Sequence, residues 1–204
     1  MKVYYSPTSP FVRKVLVVAH ELSLADRIER LGSAAHPVNR DAGIVAHNPL
    51  GQVPTFFTDD GEALYDSRVI CEYLNDRAKG GLFPTDDRRR WRALREQALC
   101  DGMLAAALSV RYEHVTRPED KRFGDWIAGQ TAKITDGLAA LERQIGQSGS
   151  FLDIGTISIA CVLSYLDLRF PAMEWRKNHS ALSAWYADFR KRPSMIATEL
   201  GEHA

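Results

Sequence analysis

Two patterns of apolar residues divide the chain. The first 79 residues set short apolar runs between turn signals, and the remainder repeats apolar positions every three or four residues. VYY (3–5) and RIERL (27–31) predict strands, and VPTFFTDDGEALY (53–65) predicts a hairpin turning at Asp59-Asp60-Gly61. PFVRKVLVVAHEL (10–22) carries two signals. Val12, Val15, Val17 and Val18 suit a strand by propensity. Val12, Leu16, Ala19 and Leu22 mark a helical face, and Ser9-Pro10 makes an N-cap and first-turn pair, so a helix is expected. RVICEYLNDRA (68–78) predicts a helix with Val69, Ile70, Tyr73 and Leu74 on one side. KGGLFPTDDRRR then reads as a linker through its double glycine, proline and charges. Beyond it, WRALREQALCDGMLAAALSVRYEHV, FGDWIAGQTAKITDGLAALERQI, TISIACVLSYLDLRF and ALSAWYADFRKR all have helical spacing. The expected architecture is a small α+β domain over 1–79, a linker over 80–87 and an all-helical domain over 88–204.

Composition narrows the class. The 204 residues hold 26 basic and 26 acidic side chains, so no net field draws the chain to nucleic acid or an anionic membrane. RRRWRALR (88–95) is flanked by Asp86, Asp87 and Glu96 and reads as a solvated helix start. Cys71, Cys100 and Cys161 are odd in number and far apart, which supports neither a disulfide framework nor a zinc knuckle and favours a reduced, cytoplasmic setting. The six histidines show no metal-ligand spacing, so no metal is expected. MKVYYSP lacks the apolar core of a secretory signal. No apolar run approaches the roughly 20 residues a membrane helix needs.

Three short stretches could carry chemistry. In NPLGQVPTF (48–56), Asn48-Pro49-Leu50-Gly51 is a turn and Val53-Pro54 opens an apolar strand. This is either a plain turn or, if the bond to Pro54 is cis, a backbone edge on which an extended peptide could pair. In Tyr65-Asp66-Ser67, Ser67 is the expected N-cap of the following helix. That helix start could be a cap alone, or it could hold an α-carboxylate while Asp66 holds the neighbouring ammonium. In SPTSPFVRKV (6–15), hydroxyls stand where a strand gives way to a helix.

Together these stretches resemble the glutathione S-transferase family: an N-terminal strand, S-P-x-S-P-x-x-R, N-P-x-G-x-V-P, an acidic residue followed by serine, a linker and a helical domain. The resemblance runs over nearly the whole chain. It implies a thioredoxin-like glutathione-binding domain followed by an all-α domain that lines the second substrate's site. It implies that Val53 pairs with the cysteinyl backbone of glutathione through cis Pro54, that Gln52 lies beside the tripeptide, and that Asp66 and Ser67 hold its γ-glutamyl end. Ser9-Pro10-Phe11-Val12 falls where thioredoxin-like redox proteins carry C-P-x-C. With both sulfurs absent, thiol–disulfide exchange is not expected. In serine-type members such a hydroxyl hydrogen-bonds the glutathione sulfur. A hydrogen bond to a charged group contributes about 1.5–3 kcal/mol, enough to lower the thiol pKa by about 1–2 pH units.

The expected activity is therefore a glutathione transferase with Ser9 as the catalytic hydroxyl, and with Ser6 and Tyr5 as rivals. Glutathione is a substrate, and a small hydrophobic electrophile is its partner. The resemblance also implies a homodimer. Asp101 could reach the partner subunit's glutathione, and Arg40 or Asn39 could meet its glycine carboxylate. Arg13 is expected in a structural ion pair, and Met103, Ala107, Arg111 and Tyr112 in core, interface or second-substrate pocket. Glutathione-dependent isomerase or dehalogenase chemistry, and non-catalytic ligand binding, are the alternatives. Asp66 departs from the glutamate common in the family. Thr156 is followed by Ile159 rather than an acid, which predicts that the reciprocal cap of the helix near 156 is missing.

Overall fold

The computed structural model describes residues 1–201, which form two compact units: Met1–Pro84 with the segment from Pro193, and Thr85–Arg192. In the first unit, β1 (Lys2–Tyr4) pairs parallel with β2 (Glu29–Leu31) and antiparallel with β3 (Phe56–Phe57). β4 (Ala63–Leu64) pairs antiparallel with β3, giving the spatial order β2-β1-β3-β4. The parallel β1–β2 pair needs a crossover, which α1 (Pro10–Glu21) supplies. The register sets Val3 against Arg30 on one side and Phe56 on the other. Val3 and Phe56 are fully buried with Val12, Val15 and Val18 of α1 and with Ile70 and Leu74 of α3 (Ser67–Ala78), which packs on α1.

The competing signals in residues 10–22 resolve as a helix. Ser9 has extended backbone angles (φ −80°, ψ 118°), its Oγ accepts from the Val12 N–H at 3.3 Å, and Pro10 opens the first turn. Burial and this cap outweigh the strand propensity of the valines. The hairpin turns where predicted, with Gly61 at φ 90° and the Thr58 N–H donating to the Glu62 carbonyl. One element lacked a signal: α2 (Ala42–Val45) is too short to show a period. It forms because Asp41 accepts from the N–H groups of Gly43, Ile44 and Ala34.

The second unit is built from α4 (Asp87–Thr116), α5 (Gly124–Ser148), α6 (Ile154–Arg169) and α7 (Ser180–Phe189). α6 is buried at every position from Ile154 to Leu166, as befits a helix surrounded by others. Gly155 permits close approach to α4, because a Cβ there would stand 3.0 Å from Ala93 Cα. The reciprocal cap of α6, expected to be missing, is present with its residues exchanged. Asp153 is the N-cap and accepts from the Thr156 N–H, while Thr156 Oγ1 accepts from the Asp153 N–H, each at 3.1 Å. A carboxylate and a hydroxyl can serve either end of the box, since both reach a backbone N–H three residues away. The chain end leaves this unit. α8 (Pro193–Ala197) packs on α1, although the sequence pattern carried the helical region on to 204. No single helix among the described residues is long and apolar enough to cross a membrane.

Candidate functional site

A buried asparagine organises the loop between α2 and β3. Asn48 is 1 % exposed. Its Oδ1 accepts from the Leu50 N–H at 3.0 Å, and its Nδ2 donates to Thr55 Oγ1 at 2.9 Å and to the Gln52 carbonyl at 3.4 Å. Gly51 closes the turn at φ 62°, a left-handed conformation that glycine adopts without penalty. The chain then runs through Gln52, Val53 and a cis peptide bond to Pro54. Val53 makes no backbone hydrogen bond among the described residues, so its N–H and C=O are open to a ligand backbone.

The start of α3 forms the facing wall. Asp66, not Ser67, is the N-cap. Its carboxylate accepts from the Arg68 N–H at 2.9 Å and pairs with the Arg68 guanidinium at 2.9 Å. Ser67 is the first helical residue and is 2 % exposed. Aspartate takes the capping role because its two oxygens can serve the helix N–H and the guanidinium together. Partial burial pushes the Asp66 carboxyl up, but the Arg68 side-chain and backbone hydrogen bonds, with the charges of Arg68 and Lys14, outweigh it and hold the group below its ordinary value.

Phe11, Asn48, Leu50, Gln52, Val53, Pro54, Tyr65, Asp66 and Ser67 enclose a pocket of about 110 Å³. All five residues assigned to glutathione binding from the sequence thus line one cavity. Phe11, Asn48, Leu50 and Tyr65 were missed as lining residues, as was Arg68 as the partner of Asp66. Asn48 announced only a turn, and an apolar ring on a helix gives no sign of which cavity it borders.

Ser9 lies elsewhere. With Tyr5, Ser6 and Arg13 it lines a crevice of about 30 Å³, closed on another side by Ala197–Leu200. The first turns of α1 therefore border both openings, with Ser9 at the crevice and Phe11 at the pocket. Ser6 offers its carbonyl to the Ser9 N–H at 3.2 Å. The Tyr5 ring is covered by the Arg30 guanidinium at 5.0 Å. The expected ion-paired Arg13 is 4 % exposed and donates to the Met195 carbonyl at 3.0 Å. Arg40, just before α2, donates to the Pro49 carbonyl in the loop that follows it. In the helical unit Met103 and Ala107 are buried core, whereas Asp101, Arg111 and Tyr112 are half-buried. Burial pushes the nearby Tyr165 hydroxyl up to about 12, so it stays protonated at neutral pH.

Comparison with known proteins gives this geometry its context. Residues 8–77 match the glutathione S-transferase N-terminal domain and residues 124–188 match the corresponding C-terminal domain. An uncharacterized GST-like protein of Escherichia coli, YibF, is 33% identical over 98% of both chains. The chain belongs to the glutathione S-transferase family. A crystal structure of a family member from Pseudomonas fluorescens Pf-5 with bound glutathione superposes with a TM-score of 0.96 at 44% identity, covering 98% of each chain. Maleylacetoacetate isomerase of Pseudomonas aeruginosa is 32% identical over 72% of this chain and 69% of its own. The two units are accordingly a thioredoxin-like domain and a glutathione S-transferase helical domain.

Proposed function

We propose that this protein is a serine-type glutathione transferase that activates the glutathione thiol for attack on a small hydrophobic electrophile. The observation that carries this reading is the gathering of Gln52, Val53, Pro54, Asp66 and Ser67 around one pocket at the N-terminus of α3. The open backbone of Val53 pairs with the cysteinyl residue. The helix N-terminus receives the γ-glutamyl carboxylate, and Asp66, held ionised by its surroundings, attracts the ammonium beside it. Phe11 brings the first turn of α1 to the pocket wall, and Ser9 two residues earlier supplies the hydroxyl for the sulfur. Its oxygen already accepts the Val12 N–H, which leaves its proton to donate to a thiolate. The thiol proton passes to solvent. The sulfur lone pair forms the new carbon–sulfur bond while the leaving group departs with its bonding pair, or the electrophile's π pair moves to the adjacent atom, which takes a proton from solvent. The glutathione bound to the Pseudomonas fluorescens relative supports the ligand.

The Pseudomonas aeruginosa relative favours a second reading, in which glutathione adds to an unsaturated substrate and is then expelled as an isomerase requires. Both readings use the same thiolate. We also place the protein in a homodimer, for which Trp91, 63% exposed on α4, provides apolar surface.

Ultraviolet thiolate absorbance of bound glutathione across pH tests the reading in wild type and Ser9→Ala. A depressed thiol pKa that rises by about 1–2 pH units in the variant is the expected result. A depression that survives the substitution moves the role to Ser6, Tyr5 or the helix dipole. Binding without any depression favours a ligand-binding protein without turnover.

A further inference from the structure

The segment after α7 returns to the first unit and ends beside the serines, and its contacts there are specific. Arg13 closes the first turn of α1, and its backbone N–H donates to the Ser9 carbonyl at 3.0 Å. Its guanidinium donates to the Met195 carbonyl at 3.0 Å and reaches Thr198 Oγ1 at 3.5 Å. Thr198 Oγ1 in turn donates to the Ser194 carbonyl at 2.7 Å, and Ser194 Oγ donates to Glu21 Oε1 at 2.5 Å at the far end of α1. Arg13, Ser194, Met195 and Thr198 are all at least nine-tenths buried. A buried guanidinium keeps its place only while its donors are met, so these bonds constrain helix and segment together. Ala197–Leu200 also wall the crevice of about 30 Å³ that Ser6 and Ser9 line.

We propose that the C-terminal segment Pro193–Leu200 is a strap that holds the Ser6–Ser9 loop in register for thiolate activation, with Arg13 as the positioning residue that fastens it. The proposal rests on Ser9 as the activating hydroxyl. A hydroxyl must be held within about 0.5 Å of its productive position to favour a thiolate. The cap bond to Val12 is long, at 3.3 Å, and by itself holds Ser9 loosely. Arg13 carries two constraints at once, since its backbone fixes the Ser9 carbonyl and its side chain fixes the strap behind the loop. Glutathione contacts at Val53 and Asp66 lie outside this arrangement, so loosening the strap impairs activation and leaves affinity.

The test uses full-length Arg13→Met, Arg13→Lys and Thr198→Val. Three quantities are measured: the thiol pKa of bound glutathione, its Kd, and amide hydrogen exchange over residues 6–13 and 193–200. In Arg13→Met, exchange is expected to quicken at least tenfold in both segments, and the bound thiol pKa to rise by about 1 pH unit with Kd within about threefold. Arg13→Lys, which keeps a donor for the Met195 carbonyl, is expected to recover most of the pKa depression. Thr198→Val removes the acceptor for Arg13 Nε and the bond to the Ser194 carbonyl while the arginine keeps its bond to the Met195 carbonyl, and it is expected to move the same readouts less, which keeps the proposal testable should Arg13→Met not fold. The proposal is overturned if Ser9→Ala raises the bound thiol pKa but neither Arg13→Met nor Thr198→Val does. If Ser9→Ala leaves that pKa unmoved, the assignment of Ser9 has failed instead. The strap then stands or falls on the exchange of residues 6–13, with unaltered exchange sinking it.

Discussion

Replacing Glu96 by glutamine should make the protein more stable at neutral pH. Glu96 sits on α4 at 1 % exposure, and neither carboxylate oxygen has a hydrogen-bond partner among the described residues. The nearest cation is Arg92, whose Nε lies 4.0 Å from Glu96 Oε2 and whose Nη2 is taken by Asp153. Burial pushes the Glu96 carboxyl up and the Asp153 charge adds to it. The charges of Arg92 and Arg95 oppose this without cancelling it. Because the folded-state pKa is raised, the protonated form stabilises the fold. That stability is fully present below the unfolded value of 4.5 and is lost as pH rises through the folded pKa. At pH 7.5 the wild type therefore carries the penalty of a buried, poorly satisfied carboxylate, about 1–3 kcal/mol. Glutamine keeps the shape and removes the charge. At roughly 2–4 °C per kcal/mol for a chain of this size, Glu96→Gln should melt about 2–12 °C higher at pH 7.5. The gap should close as pH approaches 4.5. Thermal unfolding followed by circular dichroism from pH 4.5 to 8 reads both effects. A variant less stable at pH 7.5, or a gap that does not change with pH, would refute the reasoning. It would mean that Arg92 pairs with both acids well enough to offset their burial.

Other substitutions probe the site and the packing. Asp66→Ala should weaken glutathione binding about 10–100-fold by calorimetry, a loss of about 1.4–2.8 kcal/mol; unchanged affinity would remove Asp66 from the γ-glutamyl site. Gly155→Ala places a Cβ 2.5 Å from Glu96 Oε2 and 3.0 Å from Ala93 Cα, so it should destabilise by about 1–3 kcal/mol despite the better helix propensity of alanine. A melting temperature equal to wild type would show that α4 and α6 can separate at little cost. Thr156→Val deletes the return bond to the Asp153 N–H and should cost about 1 kcal/mol, seen as a shift of about 2–4 °C; no shift would mean that the Asp153 half of the box suffices.

Much of the fold was legible because its signals are local. The Asp59-Asp60-Gly61 turn, the Ser9-Pro10 helix start and the long amphipathic repeats of α4 and α5 depend on neighbours within a few residues. The motif N-P-L-G-Q-V-P could be read for the same reason, since its turn and its strand entry lie in nine residues. What failed to show in the sequence depends on contacts across the chain or on subtle geometry. Asp66 displaced Ser67 as the cap of α3 because Arg68 gave a carboxylate a second donor. The α6 box escaped notice because its acid and hydroxyl are exchanged relative to the expected order. α2 was invisible because four residues carry no period.

The residue pattern by itself determined the division into a mixed domain and a helical one, the hairpin, the capped start of α1 and the stretches from which a glutathione site could be built. These follow from side-chain period, backbone preference and hydrogen bonds that span three or four residues. Only the tertiary structure decided that Gln52, Val53, Pro54, Asp66 and Ser67 share a pocket with Phe11, while Ser9 borders a separate crevice. It alone showed that Arg13 is buried against the returning C-terminal segment, and that Glu96 is shut away beside an arginine already committed to Asp153. Such facts arise where distant segments exclude water together. Burial changes the cost of a charge by kilocalories, and no pattern along the chain records which charges will be enclosed.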